Sequence, residues 1–226
     1  MLNETERLVL QHLSQYVTDH KKEFISKVLA QRTRRITVVL EDIYQSQNLS
    51  AVMRTCECMG IQDVHVIEKS LGYGYNKKVL KGAHKWLTIH RYRTGEDRTR
   101  TCITALREKG YRILAISPDP SGVPIECVTT DEPMALVFGN ELHGLSDDAL
   151  ALGDVQVTIP MHGFTESMNI SVSAALCVYV LSGKLRSSGI PYGLTEDEQD
   201  ELRLKWYRKI VRRSEIIERE YLRTIA

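Results

Sequence analysis

Three times along this chain an apolar run of β character ends in a short loop of amides, hydroxyls and charges that opens a helix. The loops are residues 48–54 (Asn-Leu-Ser-Ala-Val-Met-Arg), 138–146 (Phe-Gly-Asn-Glu-Leu-His-Gly-Leu-Ser) and 159–169 (Ile-Pro-Met-His-Gly-Phe-Thr-Glu-Ser-Met-Asn). A strand, a helix and a further strand return the chain in one direction, so repeated units of this kind build a parallel sheet. In an open parallel sheet, ligands sit beyond the carboxyl ends of the strands, where the following helices present unpaired N–H groups. The pattern restricts the chain to an α/β architecture and places all three polar loops at the ligand-binding end of the sheet.

The apolar runs 36–40, 64–67, 86–90, 112–116, 134–138 and 155–159 read as strands, with Trp86 expected in the core. Helices are expected over 49–59 and 97–109, closed by Gly60 and Gly110, and over 170–185. Residues 70–85 hold three glycines and the lysines 77, 78, 81 and 85, and read as a mobile basic loop. At the N-terminus Asn3 caps a first helix, and a second short helix spans 21–30. Near the other end Thr195 and Glu198 form a capping box that opens one long charged helix running towards Arg223. The expected organisation is a helical arm over 1–34, an α/β core over 35–186 and a helical extension over 187–226.

A chain of 226 residues can bury one substantial core. Its five cysteines are scattered and odd in number, which suits reduced thiols; no second Cys or His pair stands at zinc-ligand spacing, so no metal is expected. No apolar run reaches spanning length and no basic stretch precedes an apolar one near Met1, so the expectation is a cytoplasmic protein with no membrane partner. The net charge is only +1, yet the basic residues gather. Arg32, Arg34 and Arg35 precede the first strand, the lysines share one loop, and Lys205, Arg208, Lys209, Arg212 and Arg213 recur at helical spacing. Segregated basic patches suit a polyanion, and Arg34, Arg35, Lys81, Lys85, Lys205, Arg208 and Arg212 are its expected contacts. Neither G-x-G-x-x-G nor G-x-x-x-x-G-K occurs, which disfavours ordinary dinucleotide and P-loop chemistry.

In order and spacing, Asn48 with Arg54, then Gly139-x-Glu141-x-x-Gly144-Leu145-Ser146, then Ile159-Pro160-Met161-x-Gly163 followed by Ser167-Met168-Asn169 resemble the three motifs of the SpoU/TrmH-type RNA ribose 2′-O-methyltransferases of the SPOUT superfamily. The flanking helical arms look most like the tRNA-modifying branch. The resemblance implies an α/β parallel-sheet core with a C-terminal trefoil knot. It also implies S-adenosylmethionine gripped by backbone near Ile116, Gly139, Ile159 and Met168, and a homodimer with active sites near its interface. The implied substrate is tRNA, at a D-loop guanosine, with ribosomal RNA as the alternative.

The same resemblance assigns Arg54 to catalysis, Asn48 and Asn169 to positioning, Glu141 to ordering the site through hydrogen bonds, and Ser167 to its lining. A guanidinium effectively never gives up its proton in a protein. Arg54 is therefore expected to orient a phosphate and stabilise developing negative charge rather than act as a base. Gln47 stands where many relatives carry His, which removes proton transfer from that position and leaves hydrogen bonding. A non-catalytic RNA-binding protein of the same fold is the competing reading, and the intact motif residues oppose it.

Overall fold

The computed structural model describes residues 1–68 and 74–225. Helix α1 (Glu4–Ser14) starts at Asn3, whose side chain accepts the Glu6 N–H at 2.8 Å while the Glu6 carboxylate accepts the Asn3 N–H. This reciprocal capping satisfies two N–H groups that a helix start leaves without partners. Helix α2 (Asp19–Leu29), strand β1 (Ile36–Glu41), helix α3 (Ser46–Cys58) and strand β2 (Asp63–Ile67) follow. α3 begins at Ser46 rather than at 49, so Asn48 lies inside its first turn.

Residues 74–85 are not the loop that their glycines and lysines suggest. Asn76 caps a short helix α4 (Lys77–Leu80), and a 3-10 turn covers Ala83–Lys85. Leu80 and Ala83 are buried against α3, and the Asn76 N–H donates to Ser50 Oγ at 2.9 Å. Two apolar residues and one hydroxyl suffice to dock the segment and leave its lysines outside. The rest of the predicted loop, 70–73, lies outside the described residues. Trp86 closes the 3-10 turn and is only partly buried, so strand β3 (Thr88–Tyr92) starts two residues later than its apolar run implied.

Next come α5 (Arg98–Glu108), β4 (Arg112–Ile116), the two-residue β5 (Val123–Pro124), β6 (Met134–Phe138), α6 (Asp147–Ala151), β7 (Val155–Thr158) and α7 (Ile170–Ser187). The chain ends with α8 (Glu196–Ile210) and α9 (Ser214–Ile225), where the sequence suggested one continuous helix. Val211 is extended and Arg213 has a φ of 59°, so the chain turns there. The turn is offset by new contacts: Arg208 Nε donates to Glu218 at 2.9 Å, and the Tyr221 ring stacks on His12 at 4.0 Å.

The chain divides into two compact units, residues 34–192 and residues 1–33 with 193–226. The first is a seven-stranded sheet in the order β3-β2-β1-β6-β4-β7-β5, parallel throughout. Side chains alternate across β1. Ile36, Val38 and Leu40 join a core with Leu49, Val52 and Met53 of α3 and Cys177, Val178 and Leu181 of α7. Val39 faces the other side, with Cys102, Ile103 and Leu106 of α5 and Ala149 of α6. Cover on both faces is what an all-parallel sheet requires. In the second unit, built from α1, α2, α8 and α9, Trp206 is buried and the Arg32 guanidinium lies over its ring at 5.5 Å. Arg32 is thus a core residue rather than part of a surface patch.

The α5 face also buries polar side chains. His65 of β2 is buried, stacks on His90 of β3 at 4.4 Å and meets the Tyr92 hydroxyl at 3.1 Å. His90 in turn contacts Asp63 at 2.7 Å, and Asp63 pairs with Arg34 at 2.9 Å. Burial, reinforced by the His90 ring, pushes the His65 pKa from 6.5 down to about 3. The unfolded chain then binds a proton that the folded one refuses, so stability falls as pH drops below 6.5 towards about 3. We expect wild type to lose up to about 2 kcal/mol more than His65→Gln between pH 6.5 and 5, measured by urea denaturation.

Candidate active site

Strands β1 and β6 are neighbours whose onward connections leave on opposite faces of the sheet, through α3 and through α6. Such a switch opens a crevice at the carboxyl ends of the two strands. The loops 42–45 and 139–146 face one another there.

Glu141 joins them. Its carboxylate accepts the N–H groups of Tyr44 at 2.9 Å and Gln45 at 3.3 Å, and the Asn48 amide at 2.8 Å. These donors lie at the entrance to α3, where backbone N–H groups are otherwise unpaired and a negative charge is favoured. Burial raises the Glu141 pKa, but the hydrogen bonds from Asn48 and from nearby backbone N–H groups outweigh it and leave the carboxyl below its usual range. Asn48, 6 % exposed, uses its other end as well: its Oδ1 accepts the Asn169 amide at 3.3 Å. Asn169 caps α7, with its Oδ1 accepting the Ser171 N–H at 2.8 Å. Asn48, Glu141 and Asn169, one from each of the three loops, therefore form a single hydrogen-bonded line.

The 139–146 loop is closed tightly on itself. Asn140 and Gly144 exchange two backbone hydrogen bonds of 2.8 Å. A Cβ on Gly139 would stand 2.2 Å from the Gly144 backbone, so only glycine fits there. The Asn140 amide donates to the Asp42 carbonyl at 2.7 Å, and Asp42 adopts a left-handed φ of 51° to present it. At the loop's end, Ser146 binds the buried carboxylate of Glu41. Sequence reading missed Glu41, Asn140 and the functional use of Ser146. A charged residue closing the otherwise apolar run of β1 was the available signal.

Ile116, Gly139 and Ile159 stand at the carboxyl ends of β4, β6 and β7, and these strands are adjacent in the order β6-β4-β7. Residues 160–168 make no hydrogen bond among the described residues, so their backbone donors and acceptors are open to a ligand. Unengaged backbone groups beside the carboxyl ends of adjacent strands suit a ligand bound through main-chain hydrogen bonds, such as a nucleoside with an amino-acid tail. Among the described residues no cluster of His, Cys, Asp and Glu is arranged to hold a metal, and all five cysteines are unbridged.

Arg54 and Ser167 lie outside the hydrogen-bonded line. Arg54 is exposed two turns further along α3, with Nη1 donating to the Val79 carbonyl of α4 at 3.4 Å. Ser167 is exposed in the open loop. Of the expected RNA contacts, Lys81, Lys85 and Arg212 are exposed and Lys205 is partly buried. Arg34 pairs with Asp63, Arg35 donates to the Asp131 carbonyl at 2.6 Å, and Arg208 pairs with Glu218.

Residues 35–179 match the SpoU rRNA methylase family. A Borreliella burgdorferi protein named tRNA (guanosine(18)-2′-O)-methyltransferase is 45 % identical over 206 residues, covering 91 % of this chain and 93 % of that one. Among solved structures, the Aquifex aeolicus TrmH/SpoU tRNA modifying enzyme superposes with a TM-score of 0.76 at 24 % identity, over 86 % of this chain and 98 % of that one. The SpoU methyltransferase AviRb of Streptomyces viridochromogenes, solved with the cofactor AdoMet, superposes with a TM-score of 0.55 at 20 % identity, over 71 % and 62 %.

Glu141→Gln puts an amide donor against donors. We expect it to cost about 1–3 kcal/mol at neutral pH. A carboxyl with a lowered pKa contributes its stability above 4.5 and loses it as pH falls through the lowered value. Urea titrations should therefore show the deficit of Glu141→Gln shrinking in acid.

Proposed function

The chain belongs to the SpoU rRNA methylase family, and from that premise we propose that it transfers the methyl group of S-adenosylmethionine to a ribose 2′-hydroxyl of tRNA, at guanosine 18 in the D-loop. The observation that carries this reading is the meeting of Asn48, Glu141 and Asn169, drawn from three separate loops, at the ligand-binding end of the sheet. The name of the Borreliella relative supplies the nucleotide.

When bound, S-adenosylmethionine supplies a methyl group made electrophilic by its sulfonium sulfur. Backbone at Ile116, Gly139, Ile159 and Met168 would hold it, with Ser167 lining the site. The bound group would supply its methyl carbon to the ribose oxygen, and the proton of that hydroxyl would pass to a phosphate or water. Asn48 and Asn169 hold the ribose side of the site, the Asn48 amide fixed by the Glu141 carboxylate and the Asn169 amide by Asn48 Oδ1. Arg54 keeps its proton throughout. Its exposed guanidinium exchanges the weak Val79 contact for the phosphate beside the target ribose, and stabilises the charge that develops on oxygen.

The same reading includes a trefoil knot whose crossings are the loops 138–146 and 159–169. It includes a homodimer. Val172, Leu176 and Tyr179 form an exposed apolar stripe on α7, Phe164 and Met168 of the preceding open loop are exposed as well, and a second copy of the chain is the stripe's occupant. Segments 1–34 and 187–226 act as RNA-binding additions to the core 35–186, with Lys81, Lys85 and Arg212 as exposed cations for the tRNA backbone. No helix among the described residues is long and apolar enough to cross a membrane; we place the protein in the cytoplasm with its substrate.

A labelled-methyl assay on a tRNA transcript, with the modified nucleoside mapped, should find 2′-O-methylguanosine at position 18; methylation confined to ribosomal RNA would replace the substrate named here. Arg54→Ala should lower turnover by roughly 100-fold or more and leave S-adenosylmethionine binding intact by calorimetry. Leu176→Glu should convert the dimer to monomer in light scattering, and a wild-type chain that is already monomeric would contradict the interface.

A further inference from the structure

We propose that Glu41 is a positioning residue for this reaction: a buried carboxylate that holds the 139–146 loop in the shape that brings Glu141 to Asn48. The proposal rests on the function just given for that loop.

Glu41 is the last residue of β1 and is 2 % exposed. Alternation along the strand turns it with Val39 towards the α5 face, away from the side where Leu40 packs against α3. An apolar residue would suit that face, because a carboxylate removed from water costs free energy unless hydrogen bonds replace its hydration. Here they do. The Ser146 N–H donates to Glu41 Oε2 at 3.0 Å, the Ser146 hydroxyl donates to Oε1 at 2.6 Å, and the Thr99 hydroxyl in the first turn of α5 also donates to Oε1. The Ser146 Oγ accepts the Ala149 N–H at 3.3 Å as well, so the residue that Glu41 grips is also the one that starts α6.

The consequence lies in where the loop is held. Leu40 of β1 is the ladder partner of Phe138, so Glu41 stands one residue beyond the last pair, where the loop departs. The loop leaves the sheet at Phe138 and returns to the same strand end at Ser146. Both of its bases are therefore attached to the last two residues of β1. Between them the Gly139 and Gly144 backbones touch, and Glu141 reaches the start of α3. Apolar side chains of similar shape can replace buried polar groups at little cost in stability. They cannot supply direction. Stability alone does not call for a carboxylate at 41, whereas a loop that must deliver Glu141 to one place does.

The test uses the full chain with Glu41→Met, Glu41→Gln, Ser146→Ala, Thr99→Val and the double variant Glu41→Met/Ser146→Ala. In ligand-free protein, hydrogen exchange of amides 140–146 should quicken in Glu41→Met while the amides of β6 stay protected. S-adenosylmethionine should bind about tenfold more weakly by calorimetry, and its KM should rise in step while kcat at saturation stays within about threefold of wild type. Glu41→Gln can still accept the Ser146 N–H through its carbonyl and should recover part of the affinity. The double variant should bind little more weakly than Glu41→Met alone, since Glu41→Met already removes the hydroxyl contact that Ser146→Ala deletes and only the Ala149 cap is lost in addition.

A residue that only supports the fold predicts a different result: lower Tm, exchange quickened throughout the unit, and less active protein with unchanged KM. That outcome overturns the proposal, as does loop exchange unchanged in both Glu41→Met and Ser146→Ala. If Glu41→Met does not fold, Ser146→Ala and Thr99→Val decide the same question. If wild type binds no S-adenosylmethionine, the functional reading falls, and loop exchange alone decides whether Glu41 holds the loop.

Discussion

Where β1 and β6 end side by side, the chain must make two turns within a few ångströms, and the backbone N–H groups those turns expose need acceptors. The Glu141 carboxylate answers that need for Tyr44 and Gln45 and takes the Asn48 amide as well. Everything proposed for the site depends on this arrangement. It fixes the entry angle of α3, and through Asn48 and Asn169 it joins the start of α3 to the start of α7. A carboxylate that accepts from several donors at a helix entrance is held strongly and in one orientation. Its value to a methyl transfer is geometric, because none of these groups needs to exchange a proton in order to place a ribose.

The two glutamates divide the labour across the sheet. Glu41 faces α5 and holds the base of the 139–146 loop, while Glu141 projects from the loop towards α3. The 139–146 loop joins them, and the sheet it springs from is buried on both faces, so a displacement on one side has little slack in which to dissipate. Loop 160–168 is different in kind. It carries no internal hydrogen bonds among the described residues and presents backbone groups, which makes it the adaptable wall of a site whose other walls are fixed.

Much of this was legible in the residues. The apolar runs announced the parallel sheet, Gly60 and Gly110 marked the ends of α3 and α5, and the Asn3 and Thr195 caps were placed correctly. What escaped depended on partners distant in sequence. Asn48 falls within α3 because Tyr44 and Gln45 find their acceptor at Glu141, a residue no local pattern connects to them. Residues 74–85 fold on α3 through Leu80, Ala83 and Ser50, too sparse an apolar signal to overcome the neighbouring glycines and lysines. The expected arginine patch before β1 dissolved once Arg32 lay over Trp206 and Arg34 on Asp63, since positive charge in sequence does not reveal which guanidiniums the fold consumes. The break between α8 and α9 followed from contacts of Glu218 and Tyr221 that periodicity does not record.

One of the two compact units is assembled from both ends of the chain, with α1 and α2 completed only by α8 and α9. On a ribosome the first pair emerges early and its cover last. Elongation at about 5–20 residues per second leaves an interval on the order of ten seconds while residues 34–192 are made. During that interval Val9, Leu13, Ile25 and Leu29 have no helix to bury them. The sheet-bearing unit, contiguous in sequence, has no such delay. The nascent chain thus passes through a stage in which its first two helices still lack the helices that cover their apolar faces.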